Sequence, residues 1–117
     1  MGWFNADDKM HGHPKVRRAG LEAIGLWLVS GTYSCDYGTY GFVPDWFIDS
    51  WPRGRKLAAV LVKERMWVDG EQDGETGFMF LSWDEYQRTK EEIEAARERN
   101  RVRQQEWRNR KRDHGVT

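Results

Sequence analysis

Cysteine occurs once in the chain, at Cys35, which excludes an internal disulfide and a cysteine-built zinc site. A single thiol fits a reducing compartment. No cationic cluster flanks it in sequence to lower its pKa, which argues against a catalytic nucleophile. Histidine is also scarce: only His11 and His13 lie outside the tail, and a metal site built on them needs two further ligands brought from elsewhere. For His13 a capping or packing role is the better reading. The first thirty residues carry Asp7, Asp8, Lys9, Lys15, Arg17 and Arg18, so they hold no signal-peptide apolar stretch. No apolar run approaches the ~20 residues that span a bilayer. Spaced acid/base carboxylates and a phosphate-cradling glycine loop are both missing. The acidic DGEQDGE lacks the ligand order of a calcium loop. These absences predict a soluble, cytoplasmic protein that is not an enzyme, with no cofactor, no metal, no membrane partner and no small-molecule substrate.

Aromatic residues, by contrast, are abundant. Seven Trp, five Phe and four Tyr can fill a small core even at a mean hydropathy of −0.89. The 117 residues suffice for one compact domain plus an appendage. The net charge of zero conceals a division. Residues 1–87 hold 9 Lys+Arg against 13 Asp+Glu, whereas residues 88–117 hold 10 against 6. Within 97–112 eight cationic residues face only Glu98 and Glu106. Such asymmetry points to a tail that meets a polyanion or an acidic partner; its bland counterpart is a solvated arginine-rich helix.

Along the chain, Trp3 and Phe4 anchor a polar leading segment. Leu21–Val29 is predicted helical, with Leu21, Ile24 and Leu28 on one face and Leu26, Trp27 and Val29 widening the apolar surface. Gly25 costs this helix about 1 kcal/mol relative to Ala, and close packing of a neighbour is the expected reason for it. The turn-rich Gly31–Gly41 is expected to end the helix. Gly41–Trp67 is the organising unit. It comprises a short strand over Thr39–Val43, Pro44 opening a helix Asp45–Trp51, a Pro52-Arg53-Gly54 turn, and a helix from about Arg55 to Met66. In that second helix Leu57, Val60 and Leu61 share the inner arc, while Arg55, Lys56, Ala59 and Lys63 share the outer one. Val68–Phe80 reads as a β-ribbon whose loop is too long for a two-residue turn. A helix pair followed by such a ribbon is the winged helix-turn-helix order. Ser82 is the predicted N-cap of a last helix over 83–112, docked by Trp83, Tyr86 and Ile93. The expected fold is thus α+β, a winged helix-turn-helix (three-helix core plus β-hairpin wing) over residues 1–82, with a long basic helix over 83–117.

Several stretches occur in a familiar order and spacing over roughly residues 4–112. They are Asp7-Asp8, His13-Pro14-Lys15-Val16, Ala23-Ile24-Gly25-Leu26-Trp27, Gly41-Phe42-Val43-Pro44, Lys63–Trp67, FLSWDEYQ from Phe80, and ERNRVRQQEWRNRKR from Glu98. The chain in this respect resembles the N-terminal winged-helix domain of replication-initiation, replisome-organiser-like proteins of actinobacterial phages and prophages. The resemblance implies binding of double-stranded DNA, in replication initiation or its regulation, within the bacterial cytoplasm at the nucleoid. Members of that group continue past a Val-Thr stretch, so an ending at Val116-Thr117 implies a short or truncated member.

On this reading Arg53, Arg55, Lys56 and Lys63 meet the major groove and its phosphates. Arg97, Arg99, Arg101, Arg103, Arg108, Arg110, Lys111 and Arg112 clamp neighbouring backbone, which adds salt-dependent affinity rather than sequence choice. The outer arc of the helix pair carries no Asn or Gln to pair adenine. Asn100 and Arg108 have the spacing of a leucine-zipper basic region. However, Arg103 and Gln104 occupy places where small alanines allow close approach to bases, so that match is a coincidence. Trp107 is expected to stack on a base or to pack on a partner. The alternative is a protein-interaction module that docks a host or phage partner, or a transcriptional regulator, because residues 1–87 are net acidic. A homodimer or a replication protein is a further expected partner.

Overall fold

The computed structural model describes residues 3–87 and 90–115, with every side chain in those spans except Tyr86, Lys90, Ile93 and residues 112–115. The chain divides into two compact units, Met1–Gln87 and Arg88–Thr117. The first is a mixed α+β structure.

Helix α1 (Pro14–Tyr37) starts where the sequence supplies both a cap and a preset φ. His13 accepts the Lys15 N–H at Nδ1 (3.2 Å), and Pro14 occupies the first helical position. At Gly20 (φ 86°, ψ 163°) the helix kinks. It does not end near Gly31, as expected, but continues to Tyr37, where Gly38 in the left-handed region donates its N–H to the Ser34 carbonyl. The inward face explains the extension. Ala23, Leu26, Ser30, Gly31 and Ser34 are buried, a stripe of mostly small residues at helical spacing. A Cβ at Gly31 would overlap the Phe4 ring, and Ser34 Oγ accepts the Gly41 N–H at 2.7 Å. The expected face is wrong by one register, since Leu21 is 91% and Leu28 48% exposed. Nor does a close neighbour account for Gly25, whose hypothetical Cβ meets nothing within 4 Å. Trp3, expected to anchor with Phe4, is exposed.

Strand β1 (Phe42–Pro44) leads into α2 (Asp45–Asp49), which is shorter than expected and buries only Ile48 completely. Arg53 takes the left-handed region (φ 58°) and α3 (Gly54–Lys63) follows. A Cβ at Gly54 would strike the Ile48 carbonyl, so glycine is what allows α2 and α3 to close on each other. Arg65 (φ 58°) stops α3 before Met66. β2 (Trp67–Gln72) and β3 (Glu75–Phe80) then form an antiparallel ribbon, and β1 pairs the other edge of β3, giving the order β1-β3-β2. The acidic stretch expected as a long loop is paired to its end, Gln72 against Glu75. Asp73 (φ 52°) and Gly74 (φ 81°) alone turn the chain, as a two-residue I′ turn demands.

Trp67 stacks on Phe78 and tilts against Phe80, Phe80 meets Trp83 edge to face, and these rings cluster with Ile48, Leu61, Val43 and Leu26 to form the core. The last helix is interrupted, contrary to expectation. Ser82 is left-handed and makes no capping bond, α4 (Trp83–Tyr86) is one turn, and Gln87 is extended (φ −112°, ψ 159°). The reason is long-range: Gln87 accepts the Asn5 N–H at 2.9 Å and donates to the Asn5 carbonyl at 2.6 Å. The first unit therefore runs to Gln87 rather than ending at residue 82. The expected docking of Tyr86 and Ile93 falls on side chains outside those described. The second unit holds α5 (Lys90–Gly115), 26 residues or about 39 Å. No helix among the described residues is long and apolar enough to cross a membrane.

Candidate nucleic-acid interface

Helix α3 presents the expected outer arc. Arg55, Lys56, Ala59 and Lys63 are exposed, while Ala58 and Leu61 are buried and Leu57 and Val60 half-buried. Its one arginine, Arg55, and Arg53 just before it are, however, already engaged. Arg55 forks onto Asp49 (Nε–Oδ1 2.6 Å, Nη2–Oδ2 3.0 Å), and its Nη1 lies 3.3 Å from Asp45 Oδ1. The hydrogen bond from Arg55 holds the Asp49 carboxyl below its ordinary pKa and raises that of the guanidinium. Asp45 also accepts the Thr76 hydroxyl at 2.7 Å, so one carboxylate ties α2, α3 and β3 together. Arg53 binds Glu22 of α1 through Nε (2.8 Å) and Nη2. Lys56 and Lys63 form no ion pair among the described residues. Two of the four cations assigned to the helix pair are thus free for a ligand without a competing carboxylate.

The ribbon is tied down as well. Gln72 Nε2 donates to the Thr39 carbonyl at 3.0 Å, close to the turn. Asp69, Glu71, Asp73 and Glu75 are all exposed along it, a charge pattern that disfavours insertion between phosphates.

Helix α5 is different in kind. Arg97, Arg99, Arg101, Arg103, Arg108, Arg110 and Lys111 are all exposed, and no described residue of the helix is buried. Arg101 reaches Glu98 (2.6 Å), and Lys111 Nζ sits 5.0 Å from the centre of the Trp107 ring. Arg112 falls outside the described side chains. Trp107 and Val102 are exposed at 56% and 44%, with no apolar neighbour to form a face. No family model, curated protein or solved structure matches the chain.

One surface has no counterpart in the expectations from sequence. Tyr33 stands 4.9 Å from Tyr37, 4.6 Å from Phe47 and 5.8 Å from Trp46, with Trp51 6.0 Å beyond Phe47. Tyr37, Trp46 and Trp51 of this ring ladder are exposed, and Tyr37 and Trp51 border a depression of about 480 Å³. Burial, then Glu75 and Tyr37, raises the Tyr33 pKa. The signal for it is Tyr33 and Tyr37 at i, i+4, which is visible only if α1 is carried past Gly31. A second cavity of about 310 Å³ lies among Phe4, Trp27, Phe80, Trp83, His13 and Arg65. Among the described residues no three His, Cys, Asp or Glu side chains group as metal ligands. Burial raises the Cys35 thiol pKa, opposite to the shift that activates a nucleophile.

Proposed function

We propose that the protein binds double-stranded DNA, with Met1–Gln87 acting as a winged helix-turn-helix and α5 supplying most of the affinity. One observation carries this reading: α5 buries nothing among its described residues, yet it presents seven arginines and lysines between Arg97 and Lys111 to solvent. A helix that gains nothing from packing needs a ligand to hold it, and phosphate is the ligand that fits this charge. The element order of the first unit supports the winged-helix assignment: α1, then the α2–α3 pair, then the β2–β3 ribbon with β1 on its edge. The resemblance to phage replication initiators makes replication initiation or its regulation the proposed role. It is one of binding and not of catalysis.

The test is a salt titration of the full chain on duplex DNA. Replacing Arg101, Arg103, Arg108 and Arg110 by Gln should flatten the plot of log K against log salt, by about 0.9 for every phosphate that an arginine no longer neutralises. A slope and affinity equal to those of the native chain would exclude α5 from DNA binding.

The ring ladder whose Tyr37, Trp46 and Trp51 are exposed over half-buried Tyr33 and Phe47 favours a second reading, a protein-docking surface on the first unit. Aromatic rings exposed in a contiguous group are the usual anchors of such contacts.

A further inference from the structure

We infer that one face of α5 reads base edges in the major groove, and that its sequence choice comes from Asn100 and Gln104. The inference rests on the DNA-binding reading above and goes beyond it, since an arginine-rich helix by itself only holds phosphates. The observation is an exclusion of charge by side. At 100° per residue, an arc about 100° wide along Ala95–Lys111 collects Arg97, Asn100, Arg101, Gln104, Arg108 and Lys111. None of its positions is acidic, and the one carboxylate paired with it is that of Glu98, which Arg101 reaches at 2.6 Å. Glu98 and Glu106 both fall outside it, as do Arg99, Arg103 and Arg110, which form a second basic arc centred about 130° away.

A helix kept only soluble mixes both signs of charge around its surface. Here every acid in the span lies outside the first arc; of the four amides in the span, Asn100 and Gln104 lie on the side cleared of acid, and Gln105 and Asn109 lie beside Glu98. Asn100 and Gln104 are one turn apart, exposed, and make no hydrogen bond from their side chains within the described residues. An Asn or Gln amide pairs adenine in a bidentate manner at N6 and N7, and an arginine pairs guanine at O6 and N7. The dimensions agree. A helix about 10–12 Å across enters a major groove about 12 Å wide. Arg97 to Lys111 spans about 21 Å, the rise of about six base pairs. Helix α3, with Lys56 and Lys63 as its free cations and no amide on its outer arc, then positions the protein rather than reading sequence.

The experiment uses the full chain and 20-base-pair duplexes that the native chain itself enriches from a random pool, against scrambled duplexes of equal composition. Asn100→Ala and Gln104→Ala should each lower the preference for enriched over scrambled duplex about tenfold while leaving the salt slope unchanged. Alanine favours helix over either amide, so loss of α5 does not compete as an explanation. Arg99→Gln, on the second arc and about 150° from the centre of the first, should flatten the slope and spare the preference. Replacing adenine by 7-deazaadenine in the enriched duplex should weaken the native chain and not the variant that carries both Asn100→Ala and Gln104→Ala. An unchanged preference in both amide variants overturns the inference. So does a native chain that binds duplex but enriches no sequence, and in that case the DNA-binding reading survives. A native chain that binds no duplex at low salt overturns both.

Discussion

Gly25 and Gly31 lie on one helix, and different constraints act on them. Gly25 is exposed and helical with open space around it, so it contributes only backbone entropy to the unfolded state. Gly25→Ala should stabilise the protein by about 1 kcal/mol. Gly31 lies against Phe4, whose ring is held by Trp27 at 4.9 Å and Phe80 at 5.8 Å. Gly31→Ala must displace that ring and should cost about 1–3 kcal/mol by overpacking. Urea unfolding of the two variants checks both signs, and equal effects would show that Phe4 does not pack as described. The sequence marks Gly25 as anomalous but hides the reason, because the close approach occurs at Gly31 through a residue far away along the chain. Ser34 has the same character: its hydroxyl accepts from Gly41 and meets Thr39 Oγ1 at 2.7 Å, so a polar residue in an apparent turn is in fact the buried end of a helix.

Between elements, the carboxylates around Arg55 decide how much of the helix pair is offered to a ligand. Asp45 and Asp49 satisfy its guanidinium from α2, and Asp45 simultaneously holds Thr76 of β3. Asp45→Asn with Asp49→Asn should release Arg55, tighten duplex binding and steepen the salt slope by about 0.9, the increment of one phosphate. If the slope does not change, Arg55 faces no phosphate. The same tether has a pH signature. The folded Asp49 pKa is depressed, so its contribution to stability is complete above the unfolded value near 3.9 and is lost as pH falls through the lower folded value. Asp49→Asn should therefore remove part of the acid sensitivity in that window. Element types are readable from periodicity: the helix pair, the short strand before it, the ribbon after it and the basic helix all occur. Their ends are not, because tertiary hydrogen bonds set them. Gln87 binding Asn5 breaks the last helix, and Asp73-Gly74 turns a ribbon where the acidic composition alone suggests a long loop.

Across the molecule, cohesion and charge belong to different units. Met1–Gln87 contains the aromatic core and more acid than base, whereas α5 has more base than acid and no buried described residue. An isolated helix of this length without an apolar face is only marginally stable in water, so its amides open far more often than those of a packed sheet. Hydrogen exchange on the full chain should find β1, β3, β2 and α3 protected near the level of global unfolding. The amides of α5 should exchange orders of magnitude faster. Duplex DNA should then slow exchange along α5 most strongly around Asn100–Arg108 and leave the sheet unchanged, because phosphate contacts stabilise the helix only where they form. Protection of α5 equal to that of α1 without DNA would mean that a protein surface already covers it. The exposed aromatic ladder and Trp107 would then become the first sites to substitute, and protein docking would replace DNA binding as the function of the basic helix.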